Sequence, residues 1–181
     1  MLLPIMSIVA LRRSLRGFGR NRHGSAVVEF AIIAPIFFAL IFAIIETAMV
    51  FFAGQLLETA VQDTGRAFYT SQTVTATGLN TALCNQVTTL MDCATTKLCL
   101  DVRTFAKGAA IALPSVVDAS GNYTCLIQLP DTGSTDVTVV VRGYYQWPLF
   151  VTGLGYNIAN IQRGTATNKR LLAAATAVRP Q

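Results

Sequence analysis

Charge is scarce in this sequence. Only 13% of its 181 residues are Asp, Glu, Lys or Arg, roughly half the usual fraction of about 25%, which points away from an ordinary solvated domain and toward a membrane. Histidine is nearly missing. The one copy, His23, lies upstream of everything that reads as folded, so the usual general base and most catalytic triads have no member. There is no Walker motif, and GLGYN at residues 153–157 is too short for a dinucleotide loop and follows no βαβ unit. No cysteine spacing is C-x-x-C, which removes the common zinc frameworks. Acidic residues are absent before Glu29, whereas Arg12, Arg13, Arg16, Arg20 and Arg22 precede it. Those five arginines account for the whole net charge of +5, because the nine other Lys and Arg balance nine Asp and Glu. The basic stretch is therefore a leader or topology signal. Basic residues interleaved with aromatics, which nucleic-acid binding requires, are lacking on the folded part. Neither an enzyme nor a cofactor or metal is expected.

A second long apolar run is also missing. The one that exists, residues 30–53, contains a single ionisable residue, Glu46, and about 20 apolar residues suffice to cross a hydrocarbon core as a helix. Pro35 is tolerable there, since membrane helices accept proline where the freed carbonyl finds another partner. Five arginines on the N-terminal flank keep that flank cytoplasmic under the positive-inside rule, which predicts a single-pass protein with its C-terminal part across the membrane. A cleaved secretory signal fits poorly, because its apolar region precedes the cut, and here the candidate cut precedes the apolar region. The initial MLLPIMSIVAL reads either as a leader extension or as an upstream start chosen over Met6.

The stretch HGSAVVEFAIIAPIFFALIFAIIETAMVFFAGQLLETAVQDTGR resembles the N-terminal region of TadE-like proteins, the minor pilins (pseudopilins) of bacterial tight-adherence pilus systems. The shared pattern is a basic leader, a glycine, four residues, Glu-Phe or Glu-Tyr, then an apolar helix; here these are Gly24, residues 25–28, Glu29 and Phe30. The resemblance implies cleavage after Gly24 by a membrane prepilin peptidase, with Ser25 as the new N-terminus. It further implies other pilin subunits and the pilus-assembly machinery as partners, and a place in the bacterial inner membrane with the C-terminal domain periplasmic, or in an extracellular pilus. Farther on, LCNQVTTLMDCATTKLCLDVRTF, VTVVVRGYYQWPLF and RLLAAATAVRP sit where the family has a cysteine-containing helix and strands. The terminal VRPQ departs from the family's acidic tail.

Two carboxylates in or beside the apolar run need an explanation. A carboxylate stranded among apolar helices is costly unless a cation neutralises it. For Glu29 the resemblance implies one: the amine created at Ser25, about 6 Å of helical rise away, on the same or a neighbouring subunit, a pairing that in pilins sets the axial register. The plainer alternative is a headgroup-solvated Glu near the positive end of the helix dipole. Glu46 lies 17 residues on, about 26 Å by rise and roughly a quarter turn away, so the two do not share a face. It reads either as a Glu near the outer interface, carried at modest cost, or as an intramembrane polar contact to a partner helix.

Beyond the crossing, Leu56, Leu57, Ala60, Val61, Ala67 and Phe68 recur at helical spacing opposite Gln55, Glu58, Gln62, Asp63 and Arg66, so the helix continues to Tyr69 as an amphipathic stalk. SQTVTATG reads as a loop, and a second helix after Gly78 carries Leu79, Ala82, Leu83, Val87, Leu90 and Met91 as one core stripe. Residues 97–105 alternate, with Leu98, Leu100 and Val102 on one face and Asp101 and Arg103 on the other. Residues 123–129 and 136–147 read as further strands around a hairpin loop, LPDTGSTD. Residues 169–179 fit a last strand, although their alanines suit a helix almost as well. The predicted fold is α+β and pilin-like, with domains at 1–24 (leader), 25–69 (membrane helix and stalk) and 70–181 (extracytoplasmic domain with a short helix and an antiparallel sheet). Cys84, Cys93, Cys99 and Cys125 all follow the crossing, where oxidation is the natural expectation. Of three possible pairings, Cys84–Cys93 with Cys99–Cys125 is favoured, the first closing the second helix on its exit and the second linking two strands. Two functions follow from these features: a minor pilin acting in pilus assembly or adhesion, or a stationary single-pass assembly or binding module outside any filament.

Overall fold

The computed structural model describes residues 24–69, 76–93, 97–125, 137–154, 156–162 and 168–179. Helices α1 (Ser25–Tyr69) and α2 (Ala76–Val87) precede strand β1 (Leu98–Ala106), strand β2 (Val137–Pro148), a 3-10 turn (Val151–Leu154) and strand β3 (Lys169–Val178). The fold is α+β, with a three-stranded antiparallel sheet in the order β1-β2-β3. Most of the predicted leader and the whole of LPDTGSTD lie outside the described residues.

The chain divides after Phe42, within α1, into two units. In the first, residues 24–42, no described side chain is buried, and apolar side chains point outward all round the helix. A helix apolar all round is made for hydrocarbon or for a large core, not for water.

In the second unit the stalk is no spacer. Val50, Ala53, Leu57, Ala60 and Val61 of α1 join Leu79, Leu83 and Val87 of α2 and one face of the sheet in a single core. Burial of each Leu or Val contributes about 1.5–3 kcal/mol relative to exposure, so the second half of α1 is a principal source of the unit's stability. Gln55, Glu58, Gln62, Asp63 and Arg66 take the exposed side, while the side chains of Ala67 and Phe68 lie outside those described. The α1-facing side of the sheet alternates strictly: Val139, Val141, Gly143, Tyr145 and Trp147 of β2 stand opposite Leu98, Leu100 and Val102 of β1 and Leu172 of β3 in register.

Two glycines let α1 approach this closely. A Cβ on Gly143 would collide with Val61 Cγ2, and a Cβ on Gly65 would lie 2.6 Å from Thr176 Cγ2. Gly143→Ala is expected to cost about 1–3 kcal/mol by overpacking, measured as a lowered denaturation midpoint of the detergent-solubilised chain. Gly54→Ala, where nothing lies within 4 Å, should instead gain up to about 1 kcal/mol of helix propensity. Equal effects from the two substitutions would rule out the close-approach explanation.

Three of the sequence expectations are sharpened here. Helix α2 begins at Ala76 and ends at Val87, so Leu90 and Met91 sit in the turn beyond it, where their amides donate to the Val87 carbonyl at 3.1 and 2.9 Å. The Cys84–Cys93 disulfide spans that turn, and Tyr145 Oη accepts from the Asp92 amide at 3.1 Å. Of the strand expected at 123–129, residues 126–129 lie outside the described residues, and Tyr123 forms an isolated bridge with Val117. Residues 169–179 settle as strand up to Val178, because ten consecutive backbone partners on β2 outweigh the weak helix preference of their alanines.

The second face of the sheet is covered too. Residues 107–125 fold over it, joined to β1 by Cys99–Cys125, and Cys99, Val116 and Tyr144 form a second small core there. Beside it Asp101 is fully buried and Arg142 nearly so. These two are direct cross-strand partners. Arg142 donates to Asp101 Oδ2 through Nε at 2.9 Å and through Nη2, and to the Pro114 carbonyl through Nη1 at 3.1 Å. Arg103 Nε donates to both Asp101 oxygens, at 3.2 and 3.1 Å. Burial pushes the Tyr123 and Tyr144 phenols above their ordinary range, although Arg142 beside Tyr144 opposes part of that shift.

Candidate membrane and assembly segment

α1 starts at Ser25, immediately after Gly24. The first turn is exposed throughout, and a Cβ on Gly24 would meet nothing within 4 Å. Ser25 Oγ donates to Glu29 Oε1 at 3.2 Å across one helical turn. The two residues singled out as a new N-terminus and its counter-charge thus already lie within reach of each other. Phe30, the next residue, is exposed. From Ser25 to Arg66 the helix is long and apolar enough to cross a membrane once. It runs through Pro35 without interruption, although proline withholds the N–H that would pair with Ala31.

Glu46 is one of the few buried charged residues among those described. Its carboxylate accepts from the backbone amide of Phe150 and, at 3.2 and 3.3 Å, from that of Val151. These amides open the 3-10 turn, where backbone donors have no partner inside the turn and a carboxylate is the natural acceptor. One residue on, Thr47 Oγ1 donates to the Ala43 carbonyl at 2.8 Å. Having spent its hydrogen there, it accepts from the Tyr156 hydroxyl at 2.7 Å. Glu46 and Thr47 therefore fasten both sides of the 150–156 connection to α1. Sequence reasoning missed Phe150, Val151 and Tyr156, whose partners are more than a hundred residues away.

Glu46, Val50 and Ala53 are buried under the folded unit, so on that face the helix is already covered by its own domain before residue 53. Among the described residues no group of His, Cys, Asp or Glu is placed to hold a metal ion.

Residues 24–66 match the model of a family described as TadE-like protein. No curated protein matches the chain, and no solved structure does. The matched span opens on Gly24 and holds Glu29, Phe30, Glu46 and the α1 residues that build the core. Through residues 24–66 the chain is therefore similar to TadE-like proteins, a family associated with the Tad pilus.

Proposed function

We propose that the chain is a minor pilin (pseudopilin) of a tight-adherence pilus, cut after Gly24 by a prepilin peptidase and acting in pilus assembly or adhesion. The observation that carries this is the family match, which opens on the glycine of the cleavage pattern; the exposed Gly24–Glu29 turn supports it. Residues 1–24 are then a leader, residues 25–69 a membrane helix and stalk, and residues 70–181 the rest of an extracytoplasmic domain. Cleavage has a physical purpose here. A subunit leaving the bilayer for a filament must draw its N-terminus through hydrocarbon, at about 2.5–3.5 kcal/mol or more for each arginine near the centre. Removing Arg12, Arg13, Arg16, Arg20 and Arg22 removes that barrier. The amine left on Ser25 supplies the cation that Glu29 needs once both are packed among apolar helices.

N-terminal sequencing of the membrane-bound protein should find Ser25 first. Gly24→Ala should leave the leader attached, and Glu29→Ala should permit cutting yet reduce pilus assembly severely. Retention of the arginines throughout the mature population would instead indicate a stationary single-pass module. Normal pili in Glu29→Ala cells would refute the register role of that carboxylate.

A further inference from the structure

We propose that the base of the folded unit is seated in the outer leaflet of a phospholipid bilayer, with Phe150 as the inserted side chain and Glu46 fixing its depth. This requires that α1 crosses a membrane, and it does not depend on cleavage after Gly24.

Phe150 is 81% exposed, the highest value among the exposed large apolar side chains. It is not on a loose loop: Glu46 accepts from its amide and from that of Val151, while Tyr156 is tied to Thr47. All these anchors lie at one level of α1. From Ser25 to Glu46 the helix rises about 32 Å at 1.5 Å per residue, against a hydrocarbon core of about 30 Å. With Ser25 at one interface, Glu46 and Phe150 reach the other.

The chemistry at that level suits the boundary. Tyr156 is 38% exposed, with its hydroxyl on Thr47, and tyrosines with one wet end and one apolar end gather at membrane surfaces. The Glu46 carboxylate, costly in hydrocarbon, is turned inward onto backbone amides. Ile44, Ile45, Met49, Phe51 and Phe52 are exposed on the same stretch, continuing the apolar surface that begins at Val27. Continuity with an all-round apolar helix favours lipid as the occupant over a second protein surface, which would cover one stripe.

Depth-resolved quenching tests this on the full chain in vesicles of phosphatidylcholine and phosphatidylglycerol. The native Trp147, the only tryptophan, is buried and supplies the baseline. The emission added by Phe150→Trp should be blue-shifted and lose about half its intensity to lipids brominated near the headgroup end of the chain, consistent with insertion of about 5–10 Å. Phe38→Trp should be quenched by bromines deep in the chain. Ala109→Trp should be quenched by neither, because its amide donates to Ala106, which pairs with Val137 at the end of β2 away from Phe150, a strand about 36 Å long. If Phe38→Trp is quenched and Phe150→Trp is not, α1 crosses the membrane but the seating is wrong. A blue-shifted yet unquenched Phe150→Trp at the lowest protein-to-lipid ratio would mean that protein covers the side chain, and overturns the proposal equally.

Discussion

Asp101→Ala is expected to lower folding stability by about 3–5 kcal/mol, the penalty of leaving a buried guanidinium without its carboxylate. The size follows from the geometry. Asp101 is fully buried and receives hydrogen bonds from Arg142 and Arg103, while Arg142 is nearly as buried and would keep only neutral acceptors such as the Pro114 carbonyl among the described residues. Arg103, with a fifth of its side chain exposed, can turn to water when Asp101 is lost; Arg142 cannot. Asp101→Asn keeps the shape and an acceptor and should lose less. Replacing Asp101 and Arg142 together by apolar residues should cost far less than Asp101→Ala alone, because neither charge is then left behind. Denaturant titration of the detergent-solubilised protein measures all three. A loss under about 1 kcal/mol for Asp101→Ala would mean that water reaches Arg142.

The second large effect belongs to the Cys99–Cys125 disulfide. Its cysteines stand 26 positions apart in sequence, for which loop-closure entropy assigns about 3.5 kcal/mol. The 9-residue Cys84–Cys93 link rates about 2.6 kcal/mol on the same scale. Cys99→Ser with Cys125→Ser should therefore destabilise more than the corresponding pair of changes at Cys84 and Cys93, read as a larger fall in denaturation midpoint. The two large predictions are also coupled. Cys125 ends the segment that supplies the Pro114 carbonyl and lays Val116 and Tyr123 over the sheet. Freed from β1, that segment admits water to Arg142, so Asp101→Ala should cost less in the disulfide-free chain than in the native one. Strict additivity would show that the cover stays in place without its covalent tie.

The features legible in the amino-acid sequence are local or compositional. The apolar run, the arginine asymmetry and the Gly24–Glu29 spacing are contiguous in the chain, and the stalk's apolar stripe repeats every three to four residues. Each of these is a short-range pattern with a physical period, and sequence displays it directly. The alternation in β1 correctly puts Asp101 and Arg103 opposite Leu98, Leu100 and Val102. Alternation identifies a face, however, and not what covers it. That face is roofed by residues 107–125, a stretch with little regular structure and no periodic signal, which makes Asp101 the most buried charge among the described residues.

The sequence by itself determined that one helix can cross a membrane, which flank is basic, and that an α+β unit follows. Only the tertiary structure decided where that helix stops being free. Glu46 reads as an isolated charge in hydrocarbon because its partners, the amides of Phe150 and Val151, are about a hundred residues away and are backbone groups that every residue type but proline possesses. No side-chain pattern can announce such a contact. Once it forms, the carboxylate is satisfied, and the folded unit covers one face of α1 from Glu46 onward.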